Sequence, residues 1–186
     1  MATIESPHLD RSPRESWQDY RLLLIIGAVI FAVDQLTKLW VVYWSGLPLG
    51  IYPPFGGIEL IPGFFNIVYA INEGAAWGLL SGYSWIFLII ATVALIAMFR
   101  YRRQLELERV PYQWAFGLMV GGIIGNALDR LMHGHVIDFL DVDLQFYRWP
   151  TFNVADSAIV IGTAWLIIFS QMESRRDQGP SKPSAS

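Results

Sequence analysis

Apolar residues dominate four stretches of this chain, each close to the length that crosses a lipid bilayer. A spanning helix needs about 20 predominantly apolar residues. The first stretch, Leu22 to Trp44, is continuous to Val33 and is then interrupted by Asp34, Gln35, Thr37 and Lys38. The second lies within Ser84 to Phe99, behind an uncharged lead that begins at Ala75. The third, Val110 to about Met132, is free of charge until Asp129. The fourth, about Asn153 to Met172, has Asp156 as its only charge. A lone strand in lipid would leave its backbone unpaired, so all four are predicted to be helices.

Between the first two stretches the pattern changes. Leu47 to Gly57 carries three prolines and three glycines, which excludes a continuous helix. From Phe65 the chain alternates, with Phe65, Ile67, Tyr69 and Ile71 on one face. This predicts a small extracytoplasmic β-sheet within about residues 45–83, its apolar face partly in the membrane interface. Trp40, Trp44, Trp77, Trp85 and Trp149 fall near the same boundary, where amphipathic rings anchor at headgroup level. Such a sheet is either a cap over the helices or a cradle for an amphiphilic, membrane-borne substrate. The pattern fits both.

Composition agrees with a mainly α, integral membrane protein. Hydrophobic residues make up 54% and charged residues 16% of the 186 positions, with a mean hydropathy of +0.39; soluble domains carry about 25% charge. No basic cluster is interleaved with aromatics, so nothing supports nucleic-acid binding. The absence of cysteine excludes disulfides, thiolate metal sites and cysteine nucleophiles.

Net charge, −3, says less than placement. Arg11, Arg14 and Arg21 precede the first stretch, and Arg100, Arg102, Arg103 and Arg109 join the second to the third. Arg175, Arg176 and Lys182 follow the fourth, so ten of the thirteen basic residues share one side. Both termini are therefore predicted to be cytoplasmic. The first stretch reads as an uncleaved span, because Asp34, Gln35 and Lys38 stand where a signal peptide would have its small-residue cleavage site. The predicted organisation is an N-terminal extension (1–21), a four-helix membrane domain (22–172) and a disordered tail (173–186), Pro/Ser-rich from Gly179 onward.

The ionisable groups within the stretches gather near their outer ends, and such groups are functional candidates. Asp34 and Lys38 are spaced i,i+4 and can pair on one face, which favours a neutralised packing element over a substrate contact. Asp34 stands roughly 18 Å above Leu22, in the outer half of a core about 30 Å thick. The third stretch ends Gly121-Gly-Ile-Ile-Gly-Asn-Ala-Leu-Asp-Arg130, whose glycines permit close helix approach. Asn126, Asp129 and Arg130 share one face or its edge, and Arg130 can either neutralise Asp129 or hold a substrate carbonyl or phosphate. His133, His135 and Asp138 make a weak metal pattern that carries little weight.

Asp156 follows Asn153 by three residues. Capping alone could explain that acid, with Asn153 as N-cap and Asp156 in the favourable first turn. It does not explain a second acid, Asp138, at the same membrane level. Two carboxyls in a poorly solvated site share one proton, so one can act as base on a water while the other donates to a substrate oxygen. A proton relay using Asp34, Asp129, Asp138 and Asp156 is the competing reading. It is disfavoured because a relay needs acids at successive depths.

Six blocks lie in order along the chain: Asp34-Gln-Leu-Thr-Lys38, Ile61-Pro-Gly-Phe-Phe-Asn66, Asn72-Glu-Gly-Ala-Ala-Trp77, Gly121 to Arg130, Val136-Ile-Asp-Phe139 and Trp149-Pro-Thr-Phe-Asn-Val-Ala-Asp156. Together they resemble the lipoprotein signal peptidases (signal peptidase II), over about 150 residues. The resemblance implies an aspartic endopeptidase of the bacterial inner membrane. Such an enzyme cuts prolipoproteins before a diacylglyceryl-modified cysteine at the periplasmic side, needs no metal or cofactor, and is inhibited by globomycin-type lipopeptides. It further implies that Asp138 and Asp156 are the catalytic dyad. Asn126, Arg130 and Asn153 would orient dyad or substrate, Asp34 and Asn72 would line the site, and Lys38 and Asp129 would be structural. Membrane lipids and prolipoproteins are the implied partners of a monomer. Trp77 departs from the family, where a Phe is usual. An inactive lipopeptide-binding homologue is a further alternative, disfavoured because both acids are present.

Overall fold

The computed structural model describes residues 17–74 and 82–177. A short 3-10 turn, Trp17–Tyr20, leads into α1 (Arg21–Tyr43), followed by β1 (Ile58–Ile61) and β2 (Phe65–Asn72). The chain continues as α2 (Ser84–Arg100), α3 (Val110–His133), β3 (Val136–Asp143), β4 (Arg148–Phe152) and α4 (Val154–Asp177). Both chain ends and Trp77 lie outside the described residues. Helix boundaries follow the apolar runs closely, except that α4 continues through 173–177, where a disordered tail was predicted. Arg175 and Arg176 in its last turn complement the helix dipole there.

Helices α1, α3 and α4 are long and apolar enough to cross a bilayer, whereas α2, equally apolar, has 17 residues. The outer faces of the bundle are apolar, and several polar side chains lie inside it. Leu24, Leu36, Ile90, Ile96, Val160 and Ile168 face outward, while Asp34, Lys38, Asn126, Asp129 and Asn153 are buried. Exposed apolar surface on this scale suits contact with lipid rather than water.

Helix α3 is central, packing on α1 and α4 and more lightly on α2. Its glycines make this possible. A Cβ at Gly121 would stand 2.6 Å from the Gly27 carbonyl oxygen, and one at Gly125 would stand 2.6 Å from Asp34 Oδ2. In lipid, where no hydrophobic drive separates one apolar face from another, such close approach carries much of the association. Gly121→Leu is expected to force α1 off α3, with a loss of roughly 1–3 kcal/mol. A lowered unfolding temperature in detergent would show it; an unchanged one would mean the helices do not cross there. The start of α1 lacks a cap of its own, and Gln113 supplies one from α3. Its Oε1 accepts the Leu23 N–H at 3.1 Å, while its amide donates to the Asp19 and Glu108 carbonyls at 2.7 and 2.9 Å.

The strands form one antiparallel sheet in the order β1-β2-β3-β4. The sequence placed the sheet wholly between the first two helices. The structure corrects this, because β3 and β4 come from the segment joining α3 to α4. Pairing β3 with β2 brings Asp138 opposite Ala70 and Asp141 opposite Asn66. The inward face of β2 is Asn66, Val68 and Ala70, all buried. The apolar face recognised in the sequence, Phe65, Ile67, Tyr69 and Ile71, is the more exposed one.

Candidate active site

The site forms where the sheet meets the ends of α3 and α4. Asp138 is held by β3 and is 1% exposed. Asp156 lies in the first turn of α4, half-buried. Between them stands Asn153, fully buried. Its side-chain oxygen accepts the Asp156 N–H at 2.9 Å, and Asp156 Oδ2 accepts the Asn153 N–H at 3.3 Å. That reciprocal pair is the capping box anticipated from the sequence. The amide of Asn153 has a second task, donating to Asp138 Oδ1 at 2.8 Å, Asn126 Oδ1 at 3.1 Å and the Ile137 carbonyl at 3.3 Å. One residue therefore bonds to both carboxylates, so capping and convergence are the same structure.

Asn126 completes the frame, donating to Asp156 Oδ1 at 2.7 Å. Its own oxygen accepts from Lys38 Nζ at 3.1 Å. The ammonium also meets Asp34 Oδ2 and Asp129 Oδ2, each at 2.8 Å, with all three side chains nearly excluded from solvent. All three ammonium protons thus have an acceptor. Asp129 accepts the Ile137 N–H at 3.1 Å, tying α3 to the strand that carries Asp138. Asp34 Oδ1 accepts the Ala155 N–H at 2.9 Å, so it anchors the start of α4 rather than reaching the two acids through a hydrogen bond.

Asn72 donates to Asp138 Oδ2 at 3.1 Å and accepts the Gly74 N–H at 3.1 Å. Arg130 reaches the other way, donating to the Gly74 and Asn126 carbonyls at 3.2 and 3.3 Å while its guanidinium lies over Phe87. The rings of His133 and His135 lie 6.0 Å apart, tilted by 32°, with His133 exposed. Among the described residues no group of three or more His, Cys, Asp or Glu is placed to hold a metal ion.

Two polar residues near the site escaped sequence reasoning. Gln35 donates to Asp34, Asp129 and the Gly125 carbonyl, joining α1 to α3. Asp141, fully buried, accepts from Asn66 at 2.8 Å and lies 3.6 Å from the Arg148 guanidinium. A signal existed for Asp141, since its i,i+3 spacing from Asp138 breaks strand alternation, but nothing local identified its partners.

Burial, and next the negative charge of Asp156, push the Asp138 carboxyl up to about 7, against the opposing hydrogen bonds of Asn72 and Asn153 and the charge of Lys38. An acid with such a value can hold a proton at neutral pH and give it up in reaction.

A helical bundle with outward apolar faces, a buried ion cluster and a small sheet, with Asn153 bonded to both Asp138 and Asp156, is the architecture of a membrane-embedded protein. Residues 26–172 match the family model described as signal peptidase (SPase) II. The chain is 38% identical over 162 residues to the lipoprotein signal peptidase of Syntrophotalea carbinolica, covering 86% of this chain and 96% of that one. It is 40% identical over 163 residues to the lipoprotein signal peptidase of Solibacter usitatus, covering 84% and 92%. Two solved structures of bacterial membrane enzymes superpose with TM-scores of 0.72 and 0.67, at 33% and 35% identity. The first covers 88% of this chain and 93% of its own, the second 78% and 90%. The chain belongs to the signal peptidase II family and is therefore a membrane peptidase.

Proposed function

We propose that the chain is an aspartic endopeptidase that removes signal peptides from prolipoproteins, with Asp138 and Asp156 as its catalytic pair. Cleavage falls before the diacylglyceryl-modified cysteine. The observation that carries this reading is the position of Asn153, bonded to Asp138 through its amide and to Asp156 through its backbone. On this reading the two carboxyls work side by side, one from β3 and one from the first turn of α4.

The chemistry follows from sharing one proton. The ionised member takes a proton from a water as the oxygen attacks the scissile carbonyl, and the protonated member donates to the carbonyl oxygen. Collapse of the tetrahedral species passes a proton to the departing amine. Asn72, Asn126 and Asn153 hold the carboxyl oxygens in place and discourage rotation out of line. Arg130, bonded to the Gly74 carbonyl, holds the backbone just after β2, where an extended substrate would enter. The outward apolar side of the sheet suits a substrate carrying acyl chains.

Placement in the membrane extends the reading. With α2 as the remaining span, the chain crosses four times. Arg21, the arginines between α2 and α3, and those ending α4 support an orientation with both termini in the cytoplasm of a bacterial inner membrane. The dyad then faces the periplasm. The monomer acts on its lipidated substrates without metal or cofactor, and globomycin-type lipopeptides would bind at the two acids.

Purified protein incubated with a diacylglyceryl-modified prolipoprotein, with and without chelator, tests the assignment. Cleavage before the lipidated cysteine, insensitive to chelator, is the expected result; dependence on a metal would overturn the two-acid mechanism. The pH profile gives a second check. The working form carries one proton on the pair, and Asp138 surrenders its proton near 7. Activity should therefore fall about tenfold per unit on the alkaline side of that value, and fall again in acid as the second carboxyl is protonated. A profile flat from pH 5 to 9, with chemistry limiting, would contradict the shared proton.

A further inference from the structure

Far from the acids, at the end of the bundle where the arginines collect, a cleft of about 590 Å³ opens between α1 and α2. These two helices scarcely meet, and α3 lies behind them. Leu24, Leu95, Phe99 and Val120 make its walls apolar, while Arg102 and Arg103 stand at its mouth. Arg102 is positioned there, donating to the Phe99 carbonyl at 3.1 Å with its guanidinium over the Phe99 ring. Trp17, largely exposed, borders the opening as an interfacial aromatic would.

From this arrangement we infer that the cleft binds one anionic phospholipid of the surrounding leaflet, with an acyl chain along the walls and the phosphate at Arg102 and Arg103. The apolar part opens toward the hydrocarbon, and the charged part lies at the level where headgroups begin. The volume is on the scale of a single acyl chain. A signal-peptide N-terminus, being basic, is repelled by the same arginines, and the chain's own residues 1–16 are mixed in charge. Basic pockets between spans on the cytoplasmic side recognise anionic headgroups in this way. The inference rests on the membrane placement proposed above and not on the peptidase chemistry.

The test uses the full chain in mild detergent with equimolar dioleoyl phosphatidylglycerol and dioleoyl phosphatidylcholine, counting retained lipids by native mass spectrometry. One phosphatidylglycerol should be retained in preference to phosphatidylcholine by on the order of tenfold. The double variant Arg102→Gln/Arg103→Gln should erase the preference, and the charge-neutral Leu95→Trp, which fills the cleft, should lower retention of both lipids. Equal retention of the two lipids, or a preference that survives both variants, would overturn the inference. So would a phosphatidylglycerol site that appears only after deletion of residues 1–16, because that segment would then be the occupant. Unfolding temperatures within a few degrees of the parent establish that each variant is folded.

Discussion

Replacing either Asp138 or Asp156 by Asn should abolish prolipoprotein cleavage, a loss of roughly a hundredfold to ten-thousandfold or more. The substitution keeps the shape of the side chain and removes its proton chemistry. In the Asp138 variant the amide oxygen can still accept from Asn153 or Asn72, though not every bond survives. In the Asp156 variant the capping bond can persist, at a loss within about 1 kcal/mol if it weakens. Folding and membrane insertion should therefore remain near normal while product disappears. The measurement is cleavage of a lipidated prolipoprotein by purified protein, beside an unfolding curve for each variant. Undiminished turnover by either one would remove that acid from the mechanism.

Lys38→Met should be the most damaging single change to stability. The ammonium serves Asp34, Asp129 and Asn126 together, in a place that solvent does not reach. Its removal leaves two carboxylates facing each other without a cation, and breaking a buried pair in this way costs roughly 3–5 kcal/mol. Combining it with Asp129→Asn restores the net charge of the cluster and should recover much of the loss. Thermal or denaturant unfolding in detergent distinguishes the outcomes. A single variant with the parent's midpoint would show that the cluster is not held by its charge. Because Lys38 also bonds Asn126, which orients Asp156, residual activity should fall even where the protein remains folded.

The helices were legible because lipid imposes a simple rule on length and polarity. Boundaries such as Arg21, Ser84, Val110 and Val154 follow directly from where apolar runs begin. Asp138 and Asp156 drew notice in the sequence for a related reason, as carboxyls at a membrane boundary stand out against apolar neighbours. The sheet was harder. In β3 the residues Val136, Ile137, Asp138, Phe139 and Asp141 are all buried, so no alternation marks it as a strand. In β2 alternation was visible, but it could not reveal that the bundle packs on Asn66, Val68 and Ala70. Partners distant in sequence were invisible altogether. Asp34 caps a helix 121 residues further on, and Gln35 bonds across 90 and 94 positions. Trp77, the family departure noted in the sequence, lies outside the described residues.

The double duty of Asn153 has a mechanical consequence. It caps α4 and also grips the strand bearing Asp138, so tilting α4 shifts the Asp156 carboxyl relative to that of Asp138. A helix of this length answers a thicker or thinner bilayer by changing its tilt. Under the proposed mechanism, membrane thickness becomes a variable in the alignment of the acids, and lipid chain length an input to turnover.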